Sequence, residues 1–326
     1  MTEKEILQLA QSFMESRILH AAAELDLFTA LAQAPLSATE VAAKIGAAPR
    51  PLAVLLDAVA AIGLLTKSGQ TYQCERPVAR LLASGSSESI LPMVLHMSHL
   101  WTRWARLPEV AKGIPVSEDA FDFVRDTEEL RAFIGAMHSI GAPMAKQIVA
   151  SVDPGASRSL IDVGCGSGTY TIAFLRAVPE MRATLFDLPE VIEMARERLE
   201  KEGLLDRAAL VPGSYEKDEL PRGHDLALLS AIVHSNSPEE NLELYKKVFR
   251  SLNPGGRILI RDHVMEPDRI HPRDGAIFAI NMLVGTTGGT YTYEEIEAGL
   301  SQAGFTRIRL VRKGDHMDAV VEGFKP

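Results

Sequence analysis

The sequence predicts an α/β fold for its C-terminal half from three observations. Ser159–Tyr170, S-L-I-D-V-G-C-G-S-G-T-Y, has the pattern of a buried strand, a tight glycine turn and the start of a helix. From residue 157 onward, short apolar runs alternate with amphipathic segments, as they do when helices connect parallel strands. The last apolar runs, Arg307–Val311 and Met317–Val321, predict a closing antiparallel hairpin. Together these patterns predict a doubly wound, Rossmann-like sheet.

The region before this sheet predicts short helices followed by a small hairpin. Ser37 and Glu40, three residues apart, form a capping box that starts one of the helices. The predicted elements are helices over residues 5–23, Asp26–Ala34, Ala38–Ile45 and from Pro51 to Gly63, then strands over Gly63–Thr66 and Thr71–Cys74. Three helices and a hairpin predict a winged helix-turn-helix in a domain spanning residues 1–88.

Charge argues against DNA binding by this winged helix. Acidic side chains outnumber basic ones between residues 1 and 90, and the recognition helix, L-A-V-L-L-D-A-V-A-A-I, has no basic residue. The whole chain carries a formal net charge of −9, which does not favour nucleic acid as a partner. We expect the apolar helices to pack against another subunit in a homodimer.

Composition sets further limits. A chain of 326 residues can form two domains with a sizeable core. Its two cysteines, Cys74 and Cys165, lie in different segments, and no metal-ligand spacing occurs. The N-terminal residues M-T-E-K-E-I-L-Q do not have the pattern of a signal sequence, and no apolar run approaches the length of a membrane span, so we expect a cytoplasmic protein without a membrane partner.

The remaining strands are expected at regular intervals. They fall at Ser159–Val163, Ala183–Phe186, Ala208–Val211, Leu226–Leu229 and Arg257–Arg261, with the clearest helix at Pro189–Lys201. These elements make residues 151–326 one domain. Residues 89–150 form a mainly helical linker in which aromatic, histidine and methionine side chains are concentrated, and we expect it to contribute to a small-molecule pocket.

The glycine turn has a spacing that excludes two common nucleotide sites. Gly164, Gly166 and Gly168 form G-x-G-x-G, whereas a dinucleotide fingerprint needs a glycine or alanine where Thr169 stands. A phosphate-binding P-loop would need a Gly-Lys-Ser/Thr ending, which is absent. With Asp162 before it, the turn resembles motif I of the class I S-adenosylmethionine (SAM) methyltransferases.

That resemblance assigns partners to the parts of SAM. Asp187, about 20 residues beyond the turn, is placed to bind the ribose hydroxyls or to cap the helix at Pro189. Asp162 is placed to receive the methionine ammonium. The remaining cofactor-binding candidates are Leu188, Gly213, Ser214, Tyr215 and Ser230.

Further segments extend the resemblance along nearly the whole chain. They are A-A-E-L-D-L-F-T-A-L-A, L-S-A-T-E-V-A-A-K-I-G and A-V-A-A-I-G-L-L-T near the N-terminus, then F-D-L-P, L-N-P-G-G-R-I-L-I and Y-E-E-I-E-A-G-L-S-Q-A-G-F. The chain is similar to small-molecule O-methyltransferases of the acetylserotonin and caffeate type, which carry a winged-helix dimerisation domain. The resemblance implies methyl transfer from SAM to a hydroxyl group of a small, aromatic or polycyclic acceptor.

The same resemblance places a general base at His234 and a carboxylate beside it at Asp262. An imidazole that titrates near neutrality can remove a phenolic proton during methyl transfer. The chain departs from the family at Ser235 and Thr290, where acids are common, at Ser214, where Asp is common, and at Ser230, where Lys is common.

The acceptor itself is not specified by the sequence. Candidate substrate-binding residues are Met93, His96, Trp101, Trp104, Phe121, Met137, His138, Asn281 and Met282, although side chains of these types are individually more often packed in a core. Two other functions remain open. One is a SAM-dependent decarboxylation, hydroxylation or pericyclic reaction; the other is a SAM-sensing winged-helix regulator.

Overall fold

The described residues of the computed structural model, 1–86, 88–114 and 127–326, divide into two units at Trp101 and Thr102. The first unit consists of α1 (Glu3–Gln11), α2 (Phe13–Glu24), α3 (Leu27–Ala32), β1 (Leu36–Ser37), α4 (Ala38–Ile45), α5 (Pro49–Ala61), β2 (Thr66–Ser68), β3 (Thr71–Gln73), α6 (Arg76–Leu82) and most of α7 (Leu91–Trp104). Strand β3 pairs antiparallel with both β1 and β2. Helices followed by this small sheet confirm the predicted winged helix.

Local details of the first unit differ from the sequence prediction. The helix expected over residues 5–23 is broken at Ser12, whose hydroxyl donates to the Leu9 carbonyl oxygen at 2.8 Å. A serine that bonds to the backbone in this way competes with the helical pattern. The hairpin begins at Thr66 because Gly63, with φ of +82°, belongs to the preceding turn. Strand β1 was not predicted, since two residues are too few to show alternation.

The second unit is a layered α/β domain. Its elements are α8 (Leu107–Val110), α9 (Thr127–Val152), β4 (Ser159–Val163), α10 (Thr169–Ala177), β5 (Arg182–Asp187), α11 (Pro189–Lys201), β6 (Ala208–Pro212), β7 (His224–Ser230), α12 (Pro238–Ser251), β8 (Leu252–Asp262), β9 (Val264–Met265), α13 (Arg273–Leu283), β10 (Tyr291–Thr292), α14 (Tyr293–Gln302), β11 (Thr306–Arg312) and β12 (Ala319–Phe324). The main sheet has the order β11-β12-β8-β7-β4-β5-β6.

Five strands of this sheet, β4 to β8, are parallel, and β12 and β11 complete it in antiparallel pairing. Alternate side chains along each strand enter two separate cores, because successive residues of a strand face opposite sides of the sheet. Leu160 and Leu259 pack with residues of α9, α10 and α11, whereas Ile161 and Ile258 pack with residues of α12 and α14. Both faces are therefore covered by helices, which confirms the doubly wound prediction and its C-terminal hairpin.

The strand order reverses between β4 and β7, which lie side by side although they are separated in the chain. At such a switch point the connections leave in opposite directions and open a crevice outside the carboxyl ends of the strands. Val163 pairs with Leu229, so the residues that follow, Gly164 and Ser230, lie next to each other at this edge of the sheet. Within the described ranges, no helix is both long and apolar enough to cross a membrane.

Candidate active site

The glycine loop after β4 requires glycine for two reasons. Gly164, Gly166 and Gly168 have φ of +69°, +54° and +73°, in the region that side chains rarely adopt. A Cβ on Gly164 would lie 2.3 Å from Ile232 Cδ1, and one on Gly168 would lie 3.0 Å from Leu185 Cδ2. A Cβ on Gly166 would meet only Ile134 Cδ1, at 3.9 Å. Gly166 is therefore the position at which another molecule can approach the backbone.

Asp187 connects this loop to two neighbouring strand ends. Its carboxylate accepts hydrogen bonds from the backbone N–H of Gly166 and of Leu188, both at 2.8 Å. Its carbonyl oxygen accepts from the Gly213 N–H at 2.8 Å. Burial raises the pKa of Asp187 to about 6, against the effect of the two backbone hydrogen bonds. Asp187 thus brings together three other predicted cofactor-binding residues, Gly166, Leu188 and Gly213.

Asp162 is the second carboxylate beside the loop. It is buried on β4 and accepts a hydrogen bond from the Thr171 hydroxyl of α10 at 2.6 Å. Burial and the nearby charge of Asp187 raise the pKa of Asp162 to about 7, although the Thr171 hydrogen bond lowers it. Two buried carboxylates with raised pKa values form an environment that a cationic group would stabilise.

Ser214 and Tyr215 follow β6. The Ser214 N–H donates to the Asp218 carboxylate at 2.8 Å. The Tyr215 hydroxyl donates to the side-chain oxygen of Asn236 at 3.3 Å, so this residue connects the β6 end with the loop after β7. That loop carries the candidate base.

His234 and Asp262 form a buried pair at the ends of β7 and β8. His234 Nδ1 lies 2.8 Å from Asp262 Oδ1 and 3.0 Å from Oδ2. Burial alone would raise the pKa of Asp262, but the adjacent His234 imidazole, together with the backbone N–H of His263, holds it below its usual value. An ionised carboxylate accepts the Nδ1 proton, which leaves the lone pair of neutral His234 on Nε2.

Several contacts fix the backbone of the His234 loop. Asn241 of α12 donates from its side chain to the Val233 carbonyl oxygen at 2.8 Å, and the Gly289 N–H donates to the His234 carbonyl oxygen at 2.9 Å. The Phe278 ring of α13 packs edge-on against the His234 ring, with ring centroids 4.9 Å apart. The imidazole is therefore held through its backbone, through Nδ1 and by the Phe278 ring.

The structure brings two of the predicted acceptor residues into contact. The Trp104 indole N–H donates to the Asn281 side-chain oxygen at 3.2 Å. Met282 is buried, and Met137 is partly exposed on α9. Met93, His96 and Trp101 belong to the first unit, where Trp101 packs near Phe13, and Phe121 lies outside the described residues.

His138, also predicted for the acceptor, contacts the residue after the glycine loop. Its Nδ1 lies 2.8 Å from the Thr169 hydroxyl oxygen, and its Nε2 lies 2.8 Å from Arg198 Nη1. Arginine can only donate, so Nε2 accepts and the Nδ1–H donates to Thr169. Burial and the Arg198 charge lower the pKa of His138, in agreement with a neutral ring.

Three residues near the site, Tyr170, Arg261 and Phe278, are not among those that the sequence predicted. Arg261 offered a signal, since a basic residue ends the otherwise apolar run I-L-I-R-D immediately before Asp262. Tyr170 and Phe278 offered none, because apolar and aromatic positions on amphipathic helices usually pack in a core. Within the described ranges, no group of three or more His, Cys, Asp or Glu side chains is arranged to hold a metal ion.

Comparison with known proteins covers both units. A family model of the O-methyltransferase domain matches residues 108–306, and one of the O-methyltransferase dimerisation domain matches residues 7–85. The chain is 31% identical to a 3-hydroxy-5-methyl-1-naphthoate 3-O-methyltransferase from Streptomyces sahachiroi, covering 98% of this chain and 94% of the relative. It is also 31% identical to the tetracenomycin polyketide synthesis 8-O-methyl transferase of Streptomyces glaucescens, covering 94% and 92%. Human N-acetylserotonin methyltransferase, solved in complex with SAM, superposes with a TM-score of 0.82 at 26% identity over 99% of this chain and 97% of that one.

Proposed function

This chain belongs to the SAM-dependent O-methyltransferase family, and we propose that it methylates a hydroxyl group of a small aromatic or polycyclic acceptor with His234 as general base. The observation that carries the assignment of the base is the 2.8 Å contact between His234 Nδ1 and the Asp262 carboxylate. Because Nδ1 carries the proton that Asp262 accepts, Nε2 is the ring nitrogen that can accept a proton from an acceptor hydroxyl group.

The residues at the glycine loop fit SAM. Gly166 leaves its backbone open to close approach, the Asp187 carboxylate can accept from the ribose hydroxyls, and Asp162 can stabilise the methionine ammonium. The raised pKa values of both carboxylates suit a positively charged ligand. Bound SAM supplies a methyl group that its sulfonium has already activated for in-line transfer.

The residues of the protein then have two roles, which are to position the reacting groups and to remove the proton of the acceptor hydroxyl group. His234 accepts the proton of the acceptor hydroxyl at Nε2, and Asp262 stabilises the imidazolium while keeping Nδ1 protonated. General-base assistance of this kind contributes roughly 10²–10⁴-fold to the rate. Asn241, Gly289 and Phe278 keep the imidazole in place, so little reorganisation is needed during transfer.

An aromatic acceptor is supported by the names of the relatives and by the side chains in the second unit. The two Streptomyces relatives are named for a hydroxylated naphthoate and for a tetracenomycin polyketide. In this chain the Trp104–Asn281 pair offers an aromatic face and a fixed amide, which suit a flat acceptor with polar substituents.

A pair of histidine variants tests the base. With hydroxylated naphthoates and anthraquinones as acceptors, His234→Ala should lower kcat/KM by about 10²–10⁴-fold without changing the affinity for S-adenosylhomocysteine (SAH). His316→Ala, at an exposed histidine paired with Asp274, should match the unmodified protein. Undiminished transfer by His234→Ala would exclude His234 as the base. Product formed without stoichiometric SAH would favour the non-methylating reaction instead.

We also propose that the first unit pairs with a second copy of the chain. The dimerisation-domain match over residues 7–85 supports this, as do exposed apolar side chains at Ile6, Leu9 and Phe13. In this proposal residues 1–88 serve dimerisation, residues 89–150 contribute to the acceptor pocket and residues 151–326 bind SAM.

A further inference from the structure

Arg261 is a buried cation at the carboxyl end of β8. The residue is 5% exposed, and no carboxylate among the described residues forms an ion pair with it. Its Nη1 lies 3.3 Å from the Ser230 hydroxyl oxygen and its Nη2 lies 3.9 Å from the Met144 sulfur. Its Nε–H has no hydrogen-bond partner in the described part of the chain. Burying a guanidinium with such weak acceptors costs free energy unless an anion completes its surroundings.

Tyr170 presents a second unsatisfied group beside the first. Its ring lies against the guanidinium, with Arg261 Cζ 4.9 Å from the ring centroid. The residue is 8% exposed, and its hydroxyl is buried with no hydrogen-bond partner among the described side chains and backbone. Gly141 of α9 lies beside the ring, and a Cβ there would make an ordinary van der Waals contact with Tyr170 Cε2 at 3.5 Å. Two neighbouring side chains, one of them charged, therefore each carry a buried donor without a partner in the described chain.

These donors are at the same edge of the sheet as the glycine loop. Arg261 pairs with Ser230 in the β7–β8 register, and Ser230 follows Leu229, the partner of Val163. Asp162 and Arg261 both project to the face covered by α9 and α10, where they contact Thr171 and Met144. Their strands are separated only by β7, which corresponds to about 10 Å at the usual strand spacing. An acidic side chain, Asp162, and a basic one, Arg261, thus lie on the same face of the sheet, two strands apart.

We propose that Arg261 and Tyr170 bind the α-carboxylate at the amino-acid end of SAM. The inference rests on the SAM-dependent function proposed above and extends it to a residue pair that the family resemblance did not assign. Asp162 takes the ammonium, and the Arg261 Nε–H with the Tyr170 hydroxyl takes the carboxylate. A charge-assisted contact of this kind accounts for a buried arginine with which no carboxylate of the described chain forms an ion pair.

Ligand truncation separates this role from a structural one. SAH has the α-carboxylate, whereas its decarboxylated analogue S-adenosyl-3-thiopropylamine lacks only that group. Isothermal titration calorimetry with both ligands should show that Arg261→Met weakens SAH binding about 10- to 100-fold. Binding of the decarboxylated analogue should change less than twofold. The wild-type protein should itself prefer SAH by a similar factor.

Tyr170→Phe provides a second variant with a smaller effect on packing. Loss of one hydroxyl should weaken SAH binding about 3- to 10-fold and leave the decarboxylated analogue unaffected. Arg250→Met, at an exposed arginine paired with Glu219, is the matched control and should bind both ligands normally.

Three results would overturn the proposal. The first is unchanged SAH binding by Arg261→Met, and the second is an equal loss for both ligands in both variants. The third is a loss confined to acceptors that carry a carboxylate, with SAH binding intact, which would assign the cation to the acceptor. The outcome is independent of His234, because SAH binding does not involve the proton transfer from the acceptor hydroxyl group to that residue.

Discussion

Asp262 is the residue on which the proposed basicity of His234 depends. Its carboxylate is 1% exposed and accepts from Nδ1, so the ring has one allowed tautomer. In Asp262→Asn a side-chain amide can donate to Nδ1, which would place the ring proton on Nε2 and block proton acceptance. We expect kcat to fall by about 10²–10⁴-fold while the SAH dissociation constant stays constant.

Stopped assays with a labelled methyl group would measure this loss. Asp268→Asn, at an exposed aspartate paired with His271, is a suitable comparison and should retain full activity. Retention of more than half of kcat by Asp262→Asn would contradict the assignment of Asp262 as the group that sets the tautomer.

The raised pKa of Asp162 predicts a proton linkage to ligand binding. The pKa is shifted from 3.8 to about 7, so the carboxyl is mostly protonated at pH 6 in the free protein. An ammonium beside it favours the ionised form, and binding of SAH should therefore release a proton at pH 6 but not at pH 9. The apparent affinity should rise with pH between about 6 and 8, by up to tenfold per unit.

Calorimetry at pH 6 in two buffers of different ionisation enthalpy would count the released proton. Asp162→Asn should abolish the release and flatten the pH dependence of SAH binding. A wild-type protein that binds SAH without proton release would refute the pairing of Asp162 with the ammonium.

The raised pKa of Asp162 also predicts how the stability of the folded protein changes with pH. Because the folded state favours the protonated carboxyl, the contribution of Asp162 to the free energy of unfolding should fall as pH rises from about 4 through 7.

At the scale of elements, two adjacent glycines before β10 offer a matched pair of substitutions. A Cβ on Gly288 would lie 2.0 Å from the His234 carbonyl oxygen and 2.6 Å from the Ser235 carbonyl carbon. Both are backbone atoms, so the His234 loop itself would have to move. Gly288→Ala should lower the free energy of unfolding by about 1–3 kcal/mol or more and reduce methyl transfer.

Gly289→Ala is the control, because its Cβ would meet nothing within 4 Å. Thermal unfolding and kcat should be nearly unchanged in that variant. If the two variants had the same unfolding temperature and the same kcat, the His234 loop would not depend on close packing against Gly288.

The elements that the sequence predicted correctly are those with strong local patterns. Strand β4, the glycine loop and α11 follow from an apolar run, three glycines at alternate positions and a proline-to-glycine span. Strand β8 was expected to begin at Arg257 but begins at Leu252, because pairing with β7 extends it through an Asn-Pro-Gly-Gly segment that reads as a turn. Strands β9 and β10 were missed, since two-residue strands depend on tertiary pairing alone.

The candidate site residues likewise fall into those that local sequence could predict and those that it could not. Asp162, Asp187 and His234 were predicted from the family resemblance together with their positions near strand ends. The Arg261–Tyr170 contact joins residues on β8 and α10, and only the strand order and register bring them together. No local pattern encodes that register.

At the scale of the whole molecule, α1 is a helix whose apolar side chains are not covered by the described residues of a single chain. None of its residues is buried by the described chain, although Ile6, Leu7 and Leu9 are apolar. An isolated helix of nine residues is marginal in water, so its apolar side needs a packing partner. A second copy of the chain would supply that partner in the proposed homodimer.

Leu9→Glu tests this argument directly. Leu9 is 62% exposed, so the substitution removes little packing within one chain and should leave the free energy of unfolding of the monomer nearly unchanged. It would place a charge in the proposed apolar interface, and the dimer should dissociate at micromolar concentration in sedimentation velocity. Ile270→Glu, at a 63% exposed residue of the second unit, should remain dimeric. A monomeric wild-type protein, or a fully dimeric Leu9→Glu variant, would show that α1 does not form the interface and that its apolar side chains serve another contact.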